Sequence, residues 1–356
     1  MNIDLVRKAA EKFLGGAING DPQPIGDGLI HLTFKASGES GAGRILLQAI
    51  NKHIFKKPED IVHNYLLVYE YLKAEQGMPM IPAPVATQNG EFIWKDEKQN
   101  CWRATAFFEG TYSPMVAESR EAAFAVARNF ARFTSSLSGL DTHLLKEILP
   151  GFHNLSARYQ QLETAISSAP MEKLLKSTHT IAEFRERKKL VDFYEFIIHS
   201  ADFPDRVTHH DCKISNILFD KTTNQAICPV DLDTVMPGKF FSDLGDMIRS
   251  MSCTKDENSI QWEQIQIRQE FYESILKGYL EAMSDKLSEP EKKNIHYSGL
   301  MMIYMQGIRF LADYLNGDPY YKTNYAEQNL NRALNQLILL ENLEELLKSE
   351  YNFIPY

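Results

Sequence analysis

Strand-like apolar periods in this 356-residue chain are concentrated in the first 110 residues, alongside two helical stretches, whereas the period over most of the remainder is helical, and that change limits the folds available to it. Before Gly110 the strand signals are PIGDGLIHLTFKA (24–36), RILLQAI (44–50), GEFIW (90–94) and CWRATAFF (101–108). The small-residue run SGESGAG separates the first two and reads as a turn. Two helices flank these strands. One spans residues 1–15 and stops at Gly15-Gly16. The other spans 58–76, with Pro58 at its start and Glu59 and Asp60 in its first turn, where carboxylates suit the helix dipole. Beyond Gly110 the period is helical, except around VTHHDCKISNILFD (207–220) and QAICPVDLD (225–233). The pattern predicts an α+β chain in two lobes. Residues 1–110 form a small antiparallel sheet with a helix, and residues 111–356 a large, mainly helical lobe.

Composition narrows the class of function. A formal net charge of -9 argues against a general nucleic-acid binder, which needs a basic surface to displace counterions. Cys101, Cys212, Cys228 and Cys253 match neither a zinc spacing nor a dense disulfide framework, and read as reduced thiols. No window approaches the ~20 apolar residues of a membrane span, and the charged amphipathic N-terminus is not a signal peptide. The expectation is a soluble, cytoplasmic protein with no nucleic-acid or membrane partner. The chain carries no signal for its oligomeric state.

The segment THHDCKISNILFD (208–220) concentrates the chemistry. Asp211 opens a loop, Asn216 follows five residues later, a strand comes next, and a second strand ends at Asp231. Loop, strand, turn and strand in this order match the layout of a phosphoryl-transfer site. A carboxylate at 211 can accept the proton of a substrate hydroxyl. An amide oxygen at 216 and a carboxylate at 231 suit a hard divalent cation. Lys213 can neutralise a phosphoryl group in transit. His209 reads as a packed loop histidine.

The chain resembles the phosphotransferases related to aminoglycoside and choline kinases and, among them, the N-acetylhexosamine 1-kinases. HHDCKISN is similar to their catalytic loop and VDLD to their metal-binding segment. GDGLIHLTF, ILLQAINKHIF, WRATAFFEGTYS, LPGFHN, VDLDTVMPGKFFSDLGDMIRS and GIRFLADYLNGDPYYKTNYAEQNLNRA extend the likeness over nearly the whole chain. The resemblance implies a protein kinase-like fold and ATP-dependent phosphorylation of the anomeric hydroxyl of a 2-acetamido sugar, GlcNAc or GalNAc. It implies Asp211 as the base, Asn216 and Asp231 as magnesium ligands, and Asp243 as a brace for the loop. Phe107, Phe108 and Glu109 fall where adenine is held by backbone hydrogen bonds. Gly26 and Gly28, on the glycine hairpin, and Gln48 are placed on the nucleotide side. His31, Arg309 and Tyr320 are placed on the sugar.

Two features depart from the kinase pattern. Protein kinases carry a lysine on the third strand that grips the nucleotide phosphates, and here Gln48 stands in that place. Either the chain is a catalytically silent nucleotide-binding module, or another cation replaces the lysine, with Arg44 and Lys35 as candidates. The hairpin also lacks a third glycine at the usual spacing. On the acceptor side, GIRFLADYLNGDPYY places Arg309 and Asp313 four residues apart on one helix face, as sugar-binding groups or as an intrahelical ion pair. Tyr321 and Tyr320 follow a turn at 316–319. A cationic acceptor, an amino alcohol or an aminoglycoside, would call for clustered carboxylates here, and the segment is mixed in charge.

Overall fold

The computed structural model describes residues 2–26, 30–39, 43–75 and 81–354. Helix α1 (Ile3–Leu14) starts where the Asn2 side chain accepts the Asp4 N–H and stops where Gly15 adopts φ 76°. Strands β1 (Gln23–Pro24), β2 (Leu32–Ser37) and β3 (Arg44–Ala49) follow. Helix α2 (Pro58–Ala74) has Pro58 in its first turn and buries Ile61, Tyr65, Val68 and Leu72, together with one polar residue, Asn64. Strands β4 (Pro84–Val85), β5 (Trp94–Lys95), β6 (Cys101–Ala106) and β7 (Thr111–Tyr112) come next. Beyond them lie helices α3 (Arg120–Ser136), α4 (Leu155–Ser168), α5 (Met171–Glu186) and α6 (Lys189–His199). Strands β8 (Arg206–Thr208), β9 (Ile217–Asp220), β10 (Ala226–Pro229) and β11 (Met236–Gly238) precede α7 (Phe241–Met251), α8 (Gln269–Met283), α9 (Glu289–Lys293), α10 (Tyr297–Asn316) and α11 (Gln328–Tyr351).

The chain divides into two compact units. The first runs up to Tyr112 and also takes in Gly139–Pro150 and Leu218–Met236, the last of these being the segment that carries Asp231. Its main sheet is antiparallel in the order β1-β2-β3-β6-β4, with β5 paired to β6. The register sets Thr33 against Gln48 and Gln48 against Arg103. One face of the sheet, through Ile45, Leu47 and Trp102, closes over Val6, Ala9, Ala10 and Phe13 of α1. Burying an amphipathic helix face in this way is what holds a short helix in place. A smaller sheet, β10-β9-β7, lies in the same unit.

The second unit comprises Ser113–Ser138, Gly151–Ile217 and the chain from Pro237 on. Its centre is α10, which packs against α7, α4 and α11. Between Tyr297 and Leu315 every residue of α10 is buried except Arg309. Two glycines allow the close packing. A Cβ on Gly245 would lie 2.3 Å from the Ser298 carbonyl oxygen, and one on Gly307 2.5 Å from the Phe184 ring. No helix among the described residues is long and apolar enough to cross a membrane.

Candidate active site

The helical unit carries the loop that begins at β8 and passes through Asp211. His210 sits at φ 66°, a left-handed conformation that a side chain tolerates only where its surroundings fix it. Those surroundings are explicit. The Asp243 carboxylate, in the first turn of α7, accepts the His210 N–H at 2.8 Å on Oδ1 and the His209 N–H at 3.0 Å on Oδ2. The Thr134 hydroxyl donates to Oδ2 as well, at 3.3 Å. His209 is fully buried, edge-on to the Phe130 and Phe133 rings of α3. His210 Nε2 lies 2.6 Å from the Thr208 hydroxyl, and its Nδ1 lies 3.2 Å from His153 Nδ1. Burial and the neighbouring His210 push His153 well below the usual histidine range. Gly238 lies beside this loop, and a Cβ there would come within 2.4 Å of the Thr208 hydroxyl and 2.5 Å of the His210 ring. Asp243 is thus the brace that the resemblance implied.

Asp211 is half-buried and its carboxylate is oriented by two donors on a single oxygen. Lys213 Nζ lies 3.0 Å and Asn216 Nδ2 2.8 Å from Oδ2. Among the described residues no hydrogen bond reaches Oδ1, which leaves that oxygen to accept a proton. Asn216 sits in the 3-10 turn Ile214–Asn216, and its Nδ2 also bonds the Asp211 carbonyl at 2.9 Å. With its amide hydrogens committed to Asp211, its carbonyl oxygen faces away from them. That oxygen is a hard donor of the kind magnesium takes. Asp246, one turn beyond Asp243, is a buried carboxyl. Burial pushes its pKa up, opposed by Arg249 at 3.0 Å and reinforced by the charge of Asp211.

In the other unit, Asp231 is exposed at φ 59°, ψ 57°, immediately before the 3-10 turn Leu232–Thr234. Its carboxylate is an oxygen donor, of a chemistry that suits a hard divalent cation. Asp233 points inward. Its Oδ2 lies 2.5 Å from His31 Nε2, and its Oδ1 lies 2.5 Å from Arg103 Nη2. Burial alone would raise its pKa, but the Arg103 guanidinium and the His31 hydrogen bond outweigh it and hold the carboxyl at about 2. His31 Nδ1 accepts the Asn51 N–H at 3.0 Å, so the ring proton is on Nε2 and is donated to Asp233. His31, expected on the sugar, therefore has both ring nitrogens engaged in this cluster, and its ring stacks on Phe55.

The cation beside Gln48 is Arg103, which the sequence analysis did not single out. Gln48 Oε1 accepts from Arg103 Nε at 3.0 Å and from Nη2 at 2.8 Å. The two expected replacements for the strand lysine are engaged elsewhere. Lys35 and Arg44 both lie 2.9 Å from the Glu109 carboxylate. The signal for Arg103 was an arginine inside the otherwise apolar run CWRATAFF. Its partner could not be found without the strand register. In the expected adenine segment, the Phe107 N–H bonds the Arg44 carbonyl and the Phe108 carbonyl accepts the Thr111 hydroxyl. Gly26 has φ 67°, and Gly28 lies outside the described residues.

A pocket of about 260 Å³ opens in the helical unit between α4 and the end of α10, lined by Arg158, Arg309, Asp313, Asn316, Tyr320 and Tyr321. The Arg309–Asp313 ion pair does not form. Asp313 is committed to the turn after α10, where it accepts the N–H groups of Tyr320 at 3.0 Å and Tyr321 at 2.9 Å and a bond from Asn329. Arg309 instead bonds Gln306 and lies 5.9 and 5.6 Å from the rings of Tyr320 and Tyr321. Arg158, also missed in the sequence, bonds Gln161 and the Phe152 carbonyl. Burial and the charge of Arg309 lower its pKa. Among the described residues neither arginine has a carboxylate partner.

Residues 21–286 match the model of the phosphotransferase enzyme family. Solved structures share the fold along almost the whole chain. A microcompartment-associated aminopropanol kinase aligns over 98% of both chains at 13% identity, with a TM-score of 0.63. A spectinomycin phosphotransferase, solved with ADP and spectinomycin, aligns over 96% of this chain and 99% of its own at 14% identity and TM-score 0.57. A choline kinase from Cryptosporidium parvum Iowa II aligns over 98% and 97% at 15% identity and TM-score 0.54. The α+β, protein kinase-like fold expected from the sequence is the one these structures share.

Proposed function

The chain belongs to the phosphotransferase enzyme family, and from that premise we propose that it is an ATP-dependent kinase for the anomeric 1-hydroxyl of an N-acetylhexosamine. That it is a small-molecule phosphotransferase follows from the family. The choice of a neutral sugar rests on one observation, the pair of arginines in the α4–α10 pocket, neither ion-paired among the described residues, beside a single carboxylate, Asp313, that is taken up by backbone N–H groups and Asn329. An ammonium-bearing acceptor entering that pocket meets two like charges against one carboxylate already bonded to the turn, whereas several carboxylates or an aromatic cage are what such a group requires. A 2-acetamido sugar offers a carbonyl and hydroxyl oxygens that guanidinium groups can bond, and Tyr320 offers a flat face for its ring.

In this reading Asp211 Oδ1 accepts the proton of the sugar hydroxyl as the oxygen attacks the γ-phosphorus of ATP. The bond between the sugar O1 and the γ-phosphorus forms, the bond to the ADP oxygen breaks, and ADP leaves. Lys213 and Asn216 hold the carboxylate in the orientation this requires. Asn216 and Asp231 would hold magnesium, which neutralises charge on the phosphates when bound. The first unit supplies nucleotide contacts, with Gly26, Gly28, Gln48 and the backbone of Phe107, Phe108 and Glu109 as candidates. Most of the rate then comes from orientation and charge neutralisation rather than from covalent catalysis.

The test is ADP release from ATP with a panel of acceptors: GlcNAc, GalNAc, glucose, aminopropanol, ethanolamine, choline and spectinomycin. Release with the 2-acetamido sugars, at a kcat/KM at least tenfold above that for any amine, supports the reading. Release with the amines alone returns the assignment to the acceptors named for the structural neighbours. ATP binding with no release for any acceptor would make the chain a nucleotide-binding module.

A further inference from the structure

A buried polar cluster on the sheet lies outside the catalytic loop. Thr33, Gln48 and Arg103 are register partners across β2, β3 and β6, so their side chains share one face of the sheet. They bond in series. Gln48 Nε2 donates to the Thr33 hydroxyl at 3.3 Å, and Gln48 Oε1 takes two N–H groups of Arg103. Gripped in this way on one edge, the Arg103 guanidinium turns Nη2 onto the Asp233 carboxylate. A lysine at position 48 would set an ammonium against that guanidinium in a space where Arg103 is only 6% exposed. Glutamine is the residue that can orient an arginine there without repelling it.

Asp233 is two residues beyond Asp231, within the turn that starts at Asp231. The far side of the same turn is also tied down. Asn64 Nδ2, from the buried face of α2, bonds the Val235 carbonyl at 2.8 Å and the Lys146 carbonyl at 2.8 Å, while its Oδ1 accepts the Lys146 N–H. In protein kinases a strand lysine and a helix glutamate form one ion pair behind the phosphates. Here helix α2 presents an amide to the turn, and the sheet presents a cation. The Arg103–Asp233 contact is an ion pair without aligned hydrogen-bond geometry, since Arg103 Nη1 and Asp233 Oδ1 are both buried with no hydrogen-bond partner. Its effect on the turn is therefore electrostatic.

We infer that Arg103, oriented by Gln48 and paired with Asp233, is the positioning residue that fixes the Asp231 turn for binding a metal–nucleotide, in place of a strand lysine. The inference rests on the kinase reading above only so far as the chain binds a metal–nucleotide; it does not depend on the acceptor.

The experiment measures Mn²⁺ binding to the full-length protein by electron paramagnetic resonance with ADP present. Because changing Arg103 alone strands a buried carboxylate, the decisive variant replaces both partners, Arg103→Gln with Asp233→Asn. The expected result is a folded protein whose Kd for Mn²⁺–ADP rises at least tenfold, with the KM for the acceptor within twofold of wild type. A purely structural pair would lower the unfolding midpoint and leave the Mn²⁺–ADP affinity within twofold, which would overturn the inference. Gln48→Lys, which leaves Asp233 and Arg103 in place, is the second arm. It is expected to weaken Mn²⁺–ADP binding at least fivefold. Stronger binding or a higher kcat/KM for ATP would mark position 48 as a vacated lysine site and sink the inference. A wild-type protein that binds Mn²⁺–ADP but phosphorylates no acceptor in the panel would remove the sugar reading and leave this one standing, and one that binds no Mn²⁺–ADP would overturn this one.

Discussion

Replacing Asp243 by asparagine isolates what it takes to hold the Asp211 loop. In the wild-type chain its two carboxylate oxygens accept two buried backbone N–H groups, one each, at 2.8 and 3.0 Å. An asparagine has one acceptor oxygen. In either orientation its NH₂ group faces one of those N–H donors, so one hydrogen bond is lost and a buried donor is left opposite another donor. Leaving a buried donor unsatisfied costs about 1–3 kcal/mol. The surviving bond loses its charge assistance, which removes roughly half its strength, about 1 kcal/mol more. The sum is a loss of about 2–4 kcal/mol in unfolding free energy, to be read from urea denaturation followed by both fluorescence and circular dichroism. Turnover should fall about a hundredfold, since a small displacement of an oriented group has that effect. Asp220 provides the control. Its Oδ1 alone accepts the Thr222 and Thr223 N–H groups on an exposed turn, so Asp220→Asn keeps that acceptor and should change stability by less than ~0.5 kcal/mol. Equal effects at the two positions, or a loss under ~1 kcal/mol at 243, would show that the carboxylate does not brace the loop.

Asp211→Asn should lower kcat by about 10²–10⁴ while the Kd for ATP stays within threefold, as isothermal titration would read; near-normal turnover would displace Asp211 as the base. Arg309→Met should raise the acceptor KM at least tenfold with the ATP KM unchanged, and an unchanged acceptor KM would remove the pocket from the acceptor site. Stability should decrease as the pH is lowered from 7.5 to 5. Burial pushes His153 well below the histidine range and His296 down to about 4, so the unfolded chain takes up protons below about pH 6.5 that the folded chain refuses. His296→Gln, which keeps an acceptor for the Tyr272 hydroxyl, should flatten that slope, and a urea midpoint that is flat or rising between pH 7.5 and 5 in the wild type would contradict the assignment.

What the sequence disclosed divides by distance along the chain. The alternation in LTFKA and RILLQA, the proline at the start of α2 and the five-residue spacing of Asp211 and Asn216 are local patterns, and each corresponds to an element or a hydrogen bond in the structure. Arg103 was not legible because its meaning depends on the register of β3 on β6, which no local pattern encodes. Arg158 was hidden in a polar helical stretch that reads as a solvated face. The pairing of Arg309 with Asp313 was suggested by their spacing and fails because Gly317, at φ 90°, folds the chain back and brings the N–H groups of Tyr320 and Tyr321 onto Asp313. A neutral backbone took the carboxylate that a neighbouring charge was expected to hold, and that substitution leaves the arginine bonded to Gln306, with no carboxylate partner among the described residues.

Helix α10 has a consequence for how this scaffold can acquire new acceptors. Nearly all of it is locked between other helices, with Gly245 and Gly307 permitting contacts too tight for any larger residue, and only Arg309 and the turn beyond Leu315 face outward. If the α4–α10 pocket takes the acceptor, diversity introduced at 309, 316 and 320 would therefore reshape it without disturbing the packed shaft, whereas changes between Leu300 and Ile308 would unseat three neighbouring helices at once. Retargeting by directed evolution should find its productive variants concentrated at that tip.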